Sequence, residues 1–392
     1  MRHSPHPFGC AMTLDDVSVL IVDDNLANQR VLAAIVNAIG VGRIHLAGNG
    51  EEGLSLISRR KPDLVLLDVM MPGMDGYEMC RRLRRQYGHD ELPVLFVTAL
   101  DHPPERAACF AAGATDMVSK PINAAEITAR LSVHLENRIL LAGLKAYRER
   151  VRDELDLART TQAELLPSPA LLDDIRHRTG LDVRGTIETC SELGGDFWTV
   201  FETHRGTIGI LVADFTGHGV AAAFNAVRLH ALMARRPSAL TGPGELLEFL
   251  NHELRGLLPP GQFAAALACE VSPGGGVVSM AGALTPPPIL LHRGCATYLP
   301  VAGPPLGAFL DATYEEAGTT LEPGDCLLAY SDALVESLAG DQPVVDETSL
   351  LSWGEEAGRM DDPVAALLER FHRKLPGQPP DDLTVVSIRH VG

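Results

Sequence analysis

Between residues 17 and 136 the chain alternates short apolar runs with segments of helical period, and that pattern leaves few folds open. The runs lie at 17–22, 43–47, 64–67, 94–97 and 117–118 and are dominated by Val, Leu and Ile, with helical spacing of apolar residues between them. Strands that alternate with helices build βαβ units and a parallel sheet. Residues 17–136 are therefore expected to form a small doubly wound α/β domain, preceded by a loose tail at 1–16 that holds Pro5, Pro7 and Gly9. Ligands of such sheets sit at the carboxyl ends of the strands. The polar residues fall there: Asp23 and Asp24 after the first run, Asp68 after the third, Thr98 after the fourth and Lys120 after the fifth. Carboxylates gathered at one point repel and call for a hard cation such as magnesium. With that ion and the Lys120 ammonium neutralising a transferring phosphoryl group, Asp68 becomes the nucleophile and Thr98 a donor to a phosphoryl oxygen.

Asp23-Asp24, Asp68, Thr98-Ala99 and Lys120-Pro121, with PGMDG after the acceptor, resemble the response-regulator receiver family from residue 17 to about 136. The resemblance implies a flavodoxin-like domain phosphorylated on Asp68. It implies magnesium held by Asp23, Asp24, Asp68 and the Met70 backbone, and a sensor histidine kinase or phosphotransfer protein as donor. Met117 departs from the pattern, because the family usually has Tyr or Phe three residues before the lysine; a thioether can also repack.

A long helix is expected next. Asn123 and Glu126 give a capping-box-like start, and the chain then runs to Leu166 with one glycine, Gly143, before Pro167 and Pro169 stop it. Leu140, Leu144, Tyr147, Val151, Leu155 and Ala158 follow 4, 3, 4, 4, 3 spacing amid charged neighbours, the narrow seam of a coiled coil. The alternative is a stripe packed on its own domain. Residues 137–170 are thus expected as a helical linker and coiled coil, with a homodimer as its consequence.

From residue 171 to 392 the texture changes to short apolar runs between Gly- and Pro-rich turns, at 208–213, 264–269, 277–280, 326–330 and 383–388, with helical patterns near 220–235 and 244–257. This reads as an α+β domain. Its acids lie beside those runs: Asp196 in ELGGDFW, Asp214 in ILVADFTGHG, Asp332 in LLAYSDALVES, and Asp381 and Asp382 in PDDLTVVSIR. An Asp beside a buried strand needs a partner or a metal. Together these can hold two divalent cations, with a backbone carbonyl from Gly195. Two such ions activate a water for in-line attack on phosphorus, so no protein nucleophile is required. None is found: the chain has no G-x-S-x-G, no C-x5-R loop and no P-loop. His218 is a candidate general acid; equally, it shapes the turn between Gly217 and Gly219.

GGDFW, ADFTGHGVAAAF, SDALVES and DDLTVV, in that order and preceded by ARTTQAELLP, resemble the SpoIIE-type branch of the metal-dependent protein phosphatase (PPM) family from about residue 156 to 389. The resemblance implies an αββα sandwich, two manganese or magnesium ions, and phosphoserine or phosphothreonine protein substrates. In bacteria these are typically STAS-fold anti-sigma-factor antagonists. It carries metal roles to Asp196, Gly195, Asp214, Asp332 and Asp381, and an unsettled one to Asp382. Three positions depart: Ala333 replaces the usual Gly, Ala265 a common Thr, and AGALTPPP the usual AGH hairpin.

Net charge is −18, and no basic stripe or helix-turn-helix pattern supports nucleic-acid binding. The seven cysteines are scattered without a CxxC pair, which points to a reducing cytoplasm. No signal-peptide order and no membrane-length apolar run is found. The expected function is a response regulator whose Asp68 phosphorylation controls a metal-dependent serine/threonine phosphatase. The alternative is a non-catalytic adaptor that binds a sigma factor or its regulator.

Overall fold

The computed structural model describes residues 12–99, 102–274, 276–340 and 342–391. Cys10 and most of the expected N-terminal tail, residues 1–11, lie outside them. The chain divides into two compact units, Met1–Arg152 and Asp153–Gly392.

The first unit runs β1 (Ser18–Val22), α1 (Leu26–Ile39), β2 (Arg43–Ala47), α2 (Gly50–Arg59), β3 (Leu64–Asp68), α3 (Gly76–Arg84), β4 (Val94–Thr98), α4 (Pro103–Ala111), β5 (Asp116–Ser119) and the start of α5 (Ala124–Ala163). All strands are parallel, in the order β2-β1-β3-β4-β5. Every residue of β1, β3 and β4 is buried, as expected where helices cover both faces. Alternation sorts their side chains. Val19, Ile21, Leu66 and Val97 pack with Leu32 of α1 and Ile127 and Leu131 of α5, whereas Leu20, Val22, Leu67 and Phe96 pack with Ile57 of α2 and Met79 and Leu83 of α3. Residues 12–16 are not loose tail. Leu14–Asp16 form a 3-10 turn, Gly42 N–H donates to Leu14 O at 3.0 Å, and Met12 and Leu14 pack on the core.

Asn123 caps α5, accepting from the N–H of Ala125 and Glu126 at 3.0 and 3.3 Å. Only Ile127, Leu131 and Leu135 of its 40 residues are buried; of the seam, Leu140, Leu144 and Tyr147 are 69%, 57% and 62% exposed, and Val151, Leu155 and Ala158 are half-buried. The helix ends at Ala163 rather than Leu166. Pro169, expected only to stop it, opens a new helix, α6 (Pro169–Thr179), whose first turn needs no N–H there and is capped by Ser168.

The second unit continues with β6 (Leu181–Glu188), β7 (Phe197–Glu202), β8 (Ile208–Phe215), α7 (Val220–Ala234), α8 (Pro243–Arg255), β9 (Ala264–Val271), β10 (Val277–Ala283), β11 (Ile289–His292), β12 (Cys295–Tyr298), β13 (Ala317–Thr320), β14 (Cys326–Tyr330), α9 (Ala333–Glu336), the β15 (Leu338–Ala339) and β16 (Gln342–Pro343) pair, α10 (Glu347–Gly358), α11 (Pro363–Lys374) and β17 (Leu383–His390). Two antiparallel five-stranded sheets, β13-β10-β9-β8-β7 and β12-β11-β14-β17-β6, face each other. Ile210 and Val212 of β8 meet Val386 and Ile388 of β17 between the sheets. The opposite face of β8, Leu211, Ala213 and Phe215, is covered by Leu229 of α7 and Leu250 of α8. Likewise Leu383 and Val385 of β17 lie under Trp353 of α10 and Phe371 of α11. The result is an αββα sandwich. Among the described residues no helix is long and apolar enough to cross a membrane.

Candidate functional sites

In the first unit the strand order reverses between β1 and β3, which opens a crevice at their carboxyl ends. The sequence places acids at that point. Asp23, fully buried, follows β1; Asp68, nearly so, ends β3; Asp24 is exposed beside them, and the three carboxylates offer oxygens within 4.8 Å of one another. Lys120, just past β5, reaches across to both buried acids, with Nζ 2.7 Å from Asp68 Oδ2 and 3.1 Å from Asp23 Oδ2. Its own N–H donates to Thr98 O at 2.6 Å, fixing its start, and Thr98 is fully buried at the end of β4.

Burial pushes the Asp68 carboxyl above the ordinary range, and the Lys120 hydrogen bond and charge work against that rise. Burial pulls Lys120 down, yet Asp68 and Asp23 outweigh it and the ammonium is held above its usual value. Met70 donates its N–H to Asp68 Oδ1 at 3.4 Å, and its side chain is exposed. Met117 is buried beside Phe96 in the β4–β5 register. Sequence reasoning missed two residues that hold Asp23 in place. Asn28 Nδ2 donates to its carboxylate at 3.1 and 3.2 Å, and Gln29 Nε2 bridges Asp23 O and Ala47 O at 2.7 and 3.0 Å. Their signal is helical spacing on α1 from the acid pair.

The second cluster follows from strand register. Phe197 pairs with Ala213, so the residues one step outward, Asp196 and Asp214, are brought side by side. Asp332 follows β14 and Asp381-Asp382 precede β17; because Tyr330 pairs with Val385, all three emerge at one end of the other sheet. Asp214, Asp332 and Asp381 line a single cleft of about 740 Å³, together with Glu336, Thr216 and an apolar wall. Asp196 is buried behind them. Thr384 Oγ1 donates to its Oδ2, whereas its Oδ1 is buried with no donor, and the Asp214 carboxyl lies alongside.

Such crowding is expensive. Burial first, then Asp214, holds the Asp196 carboxyl well above the ordinary range. Burial, with Asp332, Asp381 and Asp382 adding to it, pushes Asp214 up to about 7. Asp332 is raised by burial, then by Glu336 and Asp381. A buried acceptor without a donor, beside other carboxyl groups, fits a cation.

The Gly194-Gly195 loop is held from two sides. Asp382 is buried, and its oxygens accept the N–H groups of Cys190 at 2.8 Å and Gly195 at 2.5 Å. The sequence left Asp382 between ligand and support; both of its oxygens are engaged as a backbone clamp. Asp382→Ala is therefore expected to cost about 3 kcal/mol by stranding two N–H groups. Denaturant unfolding checks this, and a loss below about 0.5 kcal/mol would mean the loop is held by other contacts. From the second side, Gln162 at the end of α5 donates Nε2 to Gly194 O at 2.7 Å and accepts the Gly194 N–H at 3.3 Å. A Cβ at Gly195 would lie 2.8 Å from Ala222 Cβ and 3.2 Å from Phe215 O, so only glycine fits.

His218 is exposed on the turn between Gly217 and Gly219, both at positive φ, and is not among the residues that line the cleft. Ala265 lies directly opposite Asp214 in the β8–β9 register, where a methyl offers it no hydrogen bond. Glu336, one helical turn past Asp332, is a cleft acid that sequence reasoning missed; the i, i+4 spacing was its signal.

Comparison with known proteins bears on both units. Residues 19–132 match the response regulator receiver domain, and residues 204–391 match Stage II sporulation protein E (SpoIIE). The second match takes in Asp214, Asp332 and Asp381 and begins after Gly195 and Asp196. Transcriptional regulatory protein YvrH of Bacillus subtilis is 35% identical over 123 residues, 31% of this chain and 51% of its own. Response regulator MprA of a Mycobacterium species is 44% identical over 115 residues, 29% of this chain and 49% of its own. The chain thus spans about half the length of the curated relatives it matches. Among solved structures, the SiaA-PP2C domain of Pseudomonas aeruginosa superposes with a TM-score of 0.53 at 20% identity, covering 62% of this chain and 98% of that one, a likeness of fold. A parallel five-stranded unit with an acid pocket and a Lys120 tether thus carries a response regulator receiver domain at 19–132, and the two-sheet sandwich with strand-end aspartates that follows it carries a SpoIIE-type domain at 204–391 on a PP2C-like fold.

Proposed function

We propose that Asp68 accepts a phosphoryl group from a sensor histidine kinase or phosphotransfer protein, and that this controls hydrolysis of phosphoserine or phosphothreonine in a protein substrate by the second unit. The substrate class put forward is a STAS-fold anti-sigma-factor antagonist, in the cytoplasm. One observation carries the reading: Asp214, Asp332 and Asp381 share one cleft, and beside Asp214 lies a buried Asp196 oxygen that has no donor.

In the receiver, Asp23, Asp24, Asp68 and the Met70 carbonyl are the proposed magnesium ligands. Lys120 neutralises the phosphoryl group and Thr98 donates to it. In the sandwich, Asp196, Asp214, Asp332, Asp381 and the Gly195 carbonyl are the proposed ligands of two manganese or magnesium ions. Bound there, the ions supply charge neutralisation for phosphoryl oxygens and activation of the attacking water. The chain's own part is to hold these carboxylates in place, through the Thr384 hydrogen bond to Asp196 and the Asp382 clamp on the Gly195 loop. The exposure of His218 favours its turn-shaping role over that of a general acid.

The α5 seam is read as a dimer contact between two copies, supported by the exposure of Leu140, Leu144 and Tyr147. Leu144→Glu is expected to convert a dimer to monomer in light scattering; an unchanged mass would place the contact elsewhere, and a monomeric parent chain would dismiss it. The enzymatic reading is tested by hydrolysis of p-nitrophenyl phosphate and of a phosphorylated STAS protein with manganese and with EDTA. Turnover that needs the metal supports it, and none from folded protein with manganese removes it.

A further inference from the structure

Leu284 carries a backbone conformation that its side chain does not favour. Among the described residues only two non-glycines have positive φ, Leu284 at 48° and Arg293 at 50°. Arg293 has an ordinary reason, because with Gly294 it forms the two-residue turn between β11 and β12. Leu284 has none of that kind. It follows β10, where its N–H donates to Gly303 O at 2.9 Å, and glycine or asparagine would satisfy the same bond with less strain. Nor is burial the reason for a leucine, since its side chain is 55% exposed. A bulky residue held strained and exposed is a feature that clusters at functional sites.

Its location gives the strain a use. Leu284 lines the cleft that contains Asp214, Asp332 and Asp381, and Pro286, Pro287 and Val301 continue the same wall. None of the described residues lining that cleft is Lys, Arg or His. A phosphorylated polypeptide entering it therefore meets carboxylates on one side and an apolar surface on the other, with no cationic side chain to grip its flanks. Recognition beyond the phosphate falls to the apolar wall, where Leu284 is an exposed aliphatic member beside the exposed Pro287.

We propose that Leu284 is a specificity-determining residue, seating an apolar side chain adjacent to the phosphorylated residue of the protein substrate. The proposal rests on the phosphatase reading above. Its test uses the full chain with manganese and two phosphoserine peptides that differ only in the residues beside the phosphoserine, leucine in one and glycine in the other. The readout is the ratio of kcat/KM for the two peptides, which a general structural defect, lowering both alike, does not move. The parent chain is expected to prefer the leucine peptide by about tenfold, the scale of one apolar pocket contact. Leu284→Gly, which suits the backbone, is expected to bring the ratio to about twofold or less. Leu284→Asn, which also tolerates this φ, should do the same, and Leu284→Met should keep most of the preference. Equal rates on both peptides in the parent chain, or a preference that survives Leu284→Gly, overturns the proposal and leaves the phosphatase reading intact. No hydrolysis of either peptide or of p-nitrophenyl phosphate overturns the phosphatase reading and this proposal with it.

Discussion

Asp214→Asn is expected to lower phosphatase turnover by about 10³-fold while making the metal-free protein more stable at pH 8. The two effects have one cause. Asp214 lies among Asp196, Asp332, Asp381 and Asp382 at the floor of the cleft, where its ionised form is favourable only with cations to balance it. Asparagine removes a proposed ligand and its negative charge, yet its amide is a donor of the kind Asp196 Oδ1 lacks. Because the folded-state value is raised, the folded chain binds a proton at Asp214 under conditions where the unfolded chain does not. The stability this contributes is fully present below the ordinary carboxylate range and is lost as pH rises through about 7. Thermal unfolding in EDTA should therefore show the parent chain losing stability between pH 6 and pH 8, and the variant losing less, with a gain of roughly 2 kcal/mol at pH 8. Added manganese should stabilise the parent chain more at pH 8 than at pH 6, since protons compete for the ligands. Retained turnover in Asp214→Asn would show that hydrolysis does not depend on this cluster, whereas signalling output that persists in the variant without turnover is what a non-catalytic adaptor requires.

Much of this arrangement is legible in the sequence, for physical reasons that also mark where legibility ends. Asp23, Asp68, Thr98 and Lys120 stand out because each follows an apolar run too short for a helix, and a parallel sheet brings the ends of such runs together. The αββα architecture came from resemblance rather than periodicity. Helices α10 and α11 went unrecognised, although Val364, Leu367, Leu368 and Phe371 repeat at helical spacing behind an Asp362 cap. The Gly and Ser residues of α10 dilute its pattern, and tertiary packing of Trp353 stabilises what propensity does not. Pro169 reads as a stop or a start from sequence alone, because proline ends one helix and begins another with equal ease. The supports of the loop are the least legible part. Asp382 and Gln162 act on Gly195 and Gly194 from 187 and 32 residues away, contacts that no local pattern records.

Asp68→Ala is expected to abolish phosphoryl uptake and, with it, any response of the second unit to a phosphoryl donor. The carboxylate accepts from Lys120 at 2.7 Å and ends the central strand of its sheet. Removing it leaves Lys120 paired with Asp23 alone, so the fold should persist. With acetyl phosphate the parent chain should change its turnover by at least about fivefold, the lower range of coupling between two sites, and Asp68→Ala should not change. The proposed route to the cleft is α5, whose last turn holds Gly194 through Gln162. Gln162→Ala should keep Asp68 phosphorylation and lose most of the response; a full response in that variant would mean that the signal travels by another path.

The most direct measurement is the rate of p-nitrophenyl phosphate hydrolysis by the full chain with manganese, with and without acetyl phosphate, beside Asp68→Ala. A manganese-dependent rate that shifts with the donor in the parent chain and stays fixed in the variant is the expected result. A folded protein that shows no turnover with manganese, or a turnover indifferent to the donor, would contradict a phosphatase governed by its receiver.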